Sequence, residues 1–376
     1  MKAGITIYFQ HPNYLEERDG PTNVPDQGVI RRDLAIAEAA ESLGYDSLWS
    51  VEHHFSGYTM VPDVTQLLAY LAGRTRNIEL GSAAIILPWH NPVRVTDSVA
   101  LLDNLSNGRY VLGIGRGLGR IEFDGIGVPM GESRERFVEA AQIVLNGLEN
   151  GYVEFDGKHY KQEKRWIRPT PTRSFKGRSY AAAVSPESQE IMARLGVGIL
   201  IAPQKPWDTT IREHNSYREM YEKINGQEAP QPLVTCQCYV DRDAGRAKDR
   251  ALLHISDYYR FVVKHYELGG SHLDSVKDYE YYAKAKQNIG RIGDDQAALN
   301  FAELQVYGTP AECLGRIEAI RDKLDCQAFN AILSYSTMDD DEANANTKLW
   351  TEEVLPKIKK MGRSATAPKS GAAKVA

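Results

Sequence analysis

Cysteine is scarce in this chain: four residues, Cys236, Cys238, Cys313 and Cys326, in 376. That is too few for a disulfide scaffold, and the spacing does not pair zinc ligands. The single residue between Cys236 and Cys238 puts both thiols on one face of a strand, a core arrangement. No apolar run approaches the roughly 20 residues of a membrane span, and Met1 to Phe9 alternates instead of forming a signal segment. Neither charge sign dominates: 45 basic and 50 acidic residues are scattered to a net -5. Nucleic acid and an anionic membrane are therefore poor partners, and a reduced, cytoplasmic setting is expected. What remains is 42% hydrophobic and 25% charged, an ordinary globular composition. It suits one large domain with insertions, over residues 1–361.

Apolar periodicity organises that domain. Strands are expected at residues 3–9, 46–51, 78–86, 109–114, 180–184, 197–202, 233–240 and 328–335, with helical periods between them. Gly44 stops the first helix, Asn91-Pro92 opens the third, and Ser185-Pro186 and Thr309-Pro310 open two later ones. Eight alternating units predict a closed α/β (β/α)8 TIM barrel with insertions near its C-terminal face. Residues 151–178, rich in glycine, proline and aromatics, read as a hairpin or extended loop. Residues 267–302, polar and dense in tyrosine, read as a lid, and 362–376 as a disordered tail.

Asp46 to Phe55 is the most informative stretch. Leu48, Trp49 and Val51 suit a buried parallel strand, whereas Glu52, His53 and His54 are expensive to bury without partners. In such a barrel the strand exits share one face, where active sites gather. Two further exits carry chemistry. Arg116 lies between Gly115 and Gly117, which allow close approach to the backbone while the guanidinium offers a fork for phosphate. Ser185 and Ser188 stand at a helix N-terminus, where free N–H groups favour an anion. Leu118 interrupts the glycine series, so a nicotinamide dinucleotide fingerprint is not supported.

The span Glu52 to Phe55, with Gly81 to Ile85, His90-Asn91-Pro92-Val93-Arg94, Leu101-Leu102-Asp103, Gly108-Arg109-Tyr110, Gly115-Arg116-Gly117-Leu118 and Gly308 to Cys313, resembles the bacterial luciferase-like flavin-dependent monooxygenases. Within that family it resembles the luciferase catalytic subunit. The resemblance implies that His53 is an active-site base near the flavin. It also implies that Ala83-Ala84 is a non-proline cis peptide against the flavin ring. Arg116 and Arg134 would then sit at the flavin phosphate, with Val184, Ser185 and Ser188 completing the site. Gly115 replaces a reactive cysteine of the luciferase and Val184 a glutamate, so aldehyde oxidation with light emission is the part of the resemblance these positions support least, and hydroxylation, Baeyer-Villiger insertion and aldehyde oxidation all stay open. Residues 203–302 match little, and substrate selection is expected there.

The activity implied is oxygenation of a small organic substrate by reduced flavin mononucleotide (FMN) and O2 through a C4a-hydroperoxyflavin, the cofactor doing the hard chemistry. A separate flavin reductase would supply reduced flavin, and family habit suggests a homodimer. One rival is a deazaflavin (F420)-dependent oxidoreductase that transfers hydride. Another is a metal-dependent barrel hydrolase using Glu52, His53 and His54, disfavoured because adjacent histidines point apart and no second cluster has ligand spacing, so no metal is expected. The third is a non-catalytic flavin-barrel subunit, against which His53 and Arg116 both speak.

Overall fold

The computed structural model describes residues 1–16, 25–183 and 185–364. Eight parallel strands form a closed barrel: Lys2–Ile7, Ser47–Ser50, Glu79–Ser82, Tyr110–Gly115, Ser179–Ala182, Gly198–Ile201, Leu233–Val240 and Ala328–Ile332. They are counted below as strands one to eight. Strand eight returns to strand one with Ala328 beside Lys2, and the ring closes where Leu233 stands beside Leu200. The period-two pattern explains the two cores. Leu48 faces outward with Ile5, Leu80 and Leu112 into the layer shared with the helices, while Trp49 faces inward with Val111, Tyr180 and Leu233.

Local chemistry sets the helix starts. Asp63, Asn91, Ser185 and Thr309 each accept backbone N–H bonds with their side chains, and Thr309 with Glu312 completes a reciprocal capping box. Two sequence motifs belong to the scaffold. The Arg109 guanidinium donates to the carbonyls of Ala72, Thr75 and Ile78, tying the helix Val64–Arg74 to strand four. Asp103 and Arg178 form a buried ion pair at 2.6 Å that joins the helix Pro92–Leu105 to the start of strand five. All four cysteines are buried free thiols, Cys236 and Cys238 in the outer core beside strand eight.

The structure departs from the sequence reading in five places. The third strand is not continuous: it leaves the ladder at Ala83-Ala84, whose peptide bond is cis, and rejoins strand four with Ile85 beside Ile114. A further strand, Val306–Gly308, extends the wall beside Cys238–Val240, where strand six has already ended. Residues 267–302 contain two helices, Glu280–Ile292 and Asp294–Glu303, their polar faces outward, which is why the stretch reads as polar. The last helix is interrupted by a π turn, Trp350–Val354, ahead of Pro356, which has no N–H to continue the ladder. Residues 151–178 hold an antiparallel hairpin, Tyr152–Asp156 with Lys161–Trp166. The short helix Arg120–Ile126 after strand four was not anticipated. Among the described residues no helix is long and apolar enough to cross a membrane.

Ser82 bridges strands three and four. Its hydroxyl donates to the Gly113 carbonyl and accepts from the Gly113 N–H, both at 2.9 Å. A Cβ on Gly113 would sit 1.9 Å from the Ser82 carbonyl oxygen, which is backbone and cannot swing aside. Gly113→Ala is therefore expected to lose about 3 kcal/mol in denaturant unfolding, the upper range for overpacking. Gly73→Ala, on a helix with open space around it, should be neutral or stabilising by up to about 1 kcal/mol.

Candidate functional site

A cavity of about 490 Å³ opens at the C-terminal ends of the strands. His53, Ala83, Ala84, Arg116, Arg134, Ser185 and Ser188 all line it; Val184 lies outside the described residues. Residues more than 100 positions apart meet here because each follows a barrel strand or the helix after one.

At one pole, two buried glutamates organise the imidazoles. Glu52 Oε2 accepts the Ile86 N–H at 3.2 Å, and Oε1 is 2.6 Å from His90 Nε2 and 3.3 Å from His54 Nε2. The pair of histidines is thereby split. His54 turns to Glu52 and lies edge-on to Trp89, behind these two lining residues, and of the pair only His53 lines the cavity. Glu122 receives His53: its Oε1 is 2.9 Å from His53 Nδ1, accepts the His54 N–H at 3.0 Å and lies 3.3 Å from His265 Nε2. A carboxylate on Nδ1 keeps the proton there, so Nε2, 3.4 Å from the Tyr266 hydroxyl, is the nitrogen free to accept. Gly119 makes room for Glu122, whose Oε2 lies 2.4 Å from where a Cβ would project.

Charge states follow from this packing. Burial raises the Glu122 pKa, but His53 and His265 outweigh it and bring it down to about 2. Burial lowers His265 in spite of Glu122, and raises Tyr266 well above the usual phenol value with Glu122 adding to it. His90 is raised because Glu52 overcomes its desolvation.

At the other pole stand Arg116, Arg134 and the start of the helix Pro186–Leu195. Ser185 Oγ accepts the Ser188 N–H at 3.3 Å and lies 3.0 Å from Ser188 Oγ. Both guanidinium groups are engaged by Asp278 of the 267–302 insertion. Arg116 donates to its carbonyl at 3.0 Å, Arg134 at 3.3 Å, and Arg134 stands 3.4 Å from its carboxylate. Arg116 also lies over the Tyr279 ring, 4.1 Å from its centre. The buried Nε of Arg134 has no partner. Two guanidinium groups, two hydroxyls and a helix N-terminus form a donor set suited to a phosphate dianion. A cavity this size falls within the usual range for small-molecule and cofactor sites.

The sequence reading missed Glu122, His265 and Asp278. Glu122 had a weak signal, an acid between Ile121 and Phe123 just beyond a strand exit; His265 and Asp278 had none, because His265 comes from the end of the helix Ala244–His265 and Asp278 from the insertion, and only the folded path of the chain brings either to the mouth. Among the described residues, the metal-ligating atoms that gather within 4.8 Å belong to His53, Glu122 and His265, not to Glu52, His53 and His54. Two of these three are already bound to each other through the His53 and Glu122 contact.

The profile of the luciferase-like monooxygenase family matches residues 1–325 of this chain. The alkanal monooxygenase alpha chain of the Kryptophanaron alfredi symbiont is 28% identical over 373 residues, covering 96% of this chain and 99% of that protein. Among solved structures, monooxygenase RslO1 from Streptomyces bottropensis has a TM-score of 0.77 at 22% identity, covering 95% of this chain and 99% of its own. The oxygenating constituent of 3,6-diketocamphane monooxygenase from Pseudomonas putida, solved in complex with FMN, has a TM-score of 0.70 at 18% identity, covering 95% and 98%. At these identities the two solved structures speak for the fold.

Glu122 gives the first pole a pH signature. Its folded pKa lies below the ordinary 4.5, so its contribution to stability is complete above about pH 4.5 and disappears as pH falls towards about 2. Glu122→Gln should cost about 3 kcal/mol at neutral pH, as breaking a buried pair does. In thermal melts across that acid range, its deficit against wild type should shrink.

Proposed function

The chain belongs to the luciferase-like monooxygenase family, and from that premise we propose that it is a flavin-dependent monooxygenase using reduced FMN and dioxygen to oxygenate a small organic substrate. The single observation that carries this reading is the pairing of two unlike poles in one cavity. A dianion-binding set and a carboxylate-held imidazole line the same cavity, whose lining also includes Ala83 and Ala84. The FMN complex of the diketocamphane enzyme supports the choice of cofactor. Bound reduced flavin would supply the electrons that activate dioxygen.

The chain's own residues do the rest. Arg116, Arg134, Ser185 and Ser188 would hold the phosphate. Asp278 has to release the guanidinium groups as it enters, which gives the 267–302 insertion the role of a lid. His53 takes and returns a proton at Nε2, with Glu122 fixing the ring and Tyr266 beside it. Val51, Ala84, Ile86 and Trp89 present apolar walls that keep water from the reacting centre. A separate reductase supplies reduced flavin, and the buried thiols suit a reducing cytoplasm. A homodimer is the expected assembly.

Anaerobic titration with reduced FMN, followed by oxygen, tests this reading. Wild type should bind saturably and consume oxygen in forming product. Binding of reduced F420 with oxygen-independent hydride transfer would replace the reading with the deazaflavin one. Arg116→Met should weaken FMN about tenfold, the worth of a charge-assisted contact. Asp278→Asn should tighten it about threefold by removing a part-exposed competing carboxylate. His53→Gln should bind FMN normally and turn over about 100-fold more slowly.

A further inference from the structure

Four tyrosines stand in a row behind His53. Tyr266, just past the helix Ala244–His265, places its hydroxyl 3.4 Å from His53 Nε2. Tyr58, on the loop after strand two, is hydrogen-bonded to Tyr266, and its hydroxyl lies 3.2 Å from that of Tyr258. Tyr258 is hydrogen-bonded in turn to Tyr8, just beyond strand one. Phenylalanine would fill the same space, and Phe261 and Phe301 sit in the same apolar cluster, so packing alone does not ask for hydroxyls that bond to one another. Burial raises all four phenols well above their usual pKa, so each keeps its proton.

The row has a direction. His53 Nε2 accepts, because Nδ1 carries the proton that faces Glu122. A phenol has one proton to give, so Tyr266 gives its own to His53 and accepts from Tyr58, and the same count runs back through Tyr258 to Tyr8. Every hydroxyl proton then points towards the imidazole. Tyr8, at the far end, does not line the large cavity but a second one of about 130 Å³. The buried Thr6 hydroxyl lines that space too and has no partner, and a water needs only about 30 Å³, so this end has both room and a ligand for water.

We propose that Tyr8, Tyr258, Tyr58 and Tyr266 relay a proton from water in the smaller cavity to His53 Nε2. The proposal rests on the reduced-flavin reading of the larger cavity, whose stoichiometry requires it. Anionic reduced FMN, dioxygen, substrate and a proton give oxidised FMN, oxygenated substrate and water; without substrate the same proton goes into hydrogen peroxide. A proton must therefore enter on every turnover, into a space whose apolar walls exclude water. In the relay the Tyr266 O–H breaks as an N–H forms at Nε2, Tyr58, Tyr258 and Tyr8 each pass one proton forward, and Tyr8 regains its own from the water side. No phenol is left charged. Tyr266 touches the imidazole, whereas Tyr58, Tyr258 and Tyr8 act through it and are positioning residues.

The first readout needs no flavin. In the full chain labelled with 15N-histidine, Tyr258→Phe removes a hydroxyl two phenols away from His53 and should shift the Nε2 resonance, since hydrogen bonds in a chain strengthen one another by about 10–30% each. Tyr335→Phe is the control: Tyr335 packs edge-on against Tyr258, but its hydroxyl donates to the Cys238 carbonyl at 3.4 Å, outside the row, and its loss should leave the resonance in place. The second readout is single-turnover oxidation of bound reduced FMN by oxygen in mixtures of water and deuterium oxide. Wild type should give a bowed proton inventory, with several protons moving together. Tyr258→Phe should run at least about tenfold slower, short of the roughly 100-fold of losing a positioned acid–base group, and should recover as imidazole buffer is added to carry protons by another route. An Nε2 resonance that stays put in Tyr258→Phe, or moves equally in Tyr335→Phe, overturns the proposal. So does a linear inventory in wild type, which decides the matter even if the variant fails to fold, or a slow variant that imidazole does not restore. Failure of wild type to bind reduced FMN would overturn the cofactor reading and the relay's purpose with it, and it is seen in the titration before oxygen is admitted.

Discussion

The cavity mouth depends on the buried carboxylate of Glu122. Three pieces of chain meet on one of its oxygens: the loop after strand two through His53 and His54, the short helix that carries Glu122 itself, and the end of the helix Ala244–His265. A carboxylate is expensive to desolvate, and it persists here because the groups around it favour its charge. Glu52 repeats the device on the opposite side, binding the Ile86 N–H and two other imidazoles, and so locks the exit of strand two to that of strand three. Between them, the two acids assign the histidine pair: one ring is sequestered and the other is presented.

The poles of the cavity are built with different stiffness. The glutamate pole is almost wholly buried, so its contacts are screened little and cannot readily exchange with water. The arginine pole is about one-fifth exposed on both sides of the Arg134 and Asp278 pair, and its partners come from the insertion. Such contacts are worth less and exchange more easily. Rigidity therefore sits beside the imidazole and adaptability beside the guanidinium groups.

How much of this the sequence makes legible depends on whether a residue acts locally. Barrel strands are readable because Leu48, Trp49 and their counterparts follow strict alternation, and Asn91, Ser185 and Thr309 because a cap is a contact within four residues. His53, Arg116 and Ser185 are readable because a parallel barrel gathers its strand exits whatever the intervening helices do. Glu122 is nearly silent, since nothing about an acid on a short helix reveals the imidazole 69 positions away. Asp278 is silent altogether: its contacts to Arg116 and Arg134 span 162 and 144 positions. The two helices beyond residue 279 hide behind polar outer faces, and the strand Val306–Gly308 is too short for a period to register.

The insertion is held at both ends. It begins directly after His265, within reach of Glu122, and it ends in Val306–Gly308, hydrogen-bonded along Cys238–Val240 of the barrel wall. A segment fastened in this way is a bridge, not an arm. A protease cutting its backbone near residue 278 would leave each half attached to the barrel by its own contacts. The nicked protein would then run as one body under native conditions and separate into two fragments only when denatured.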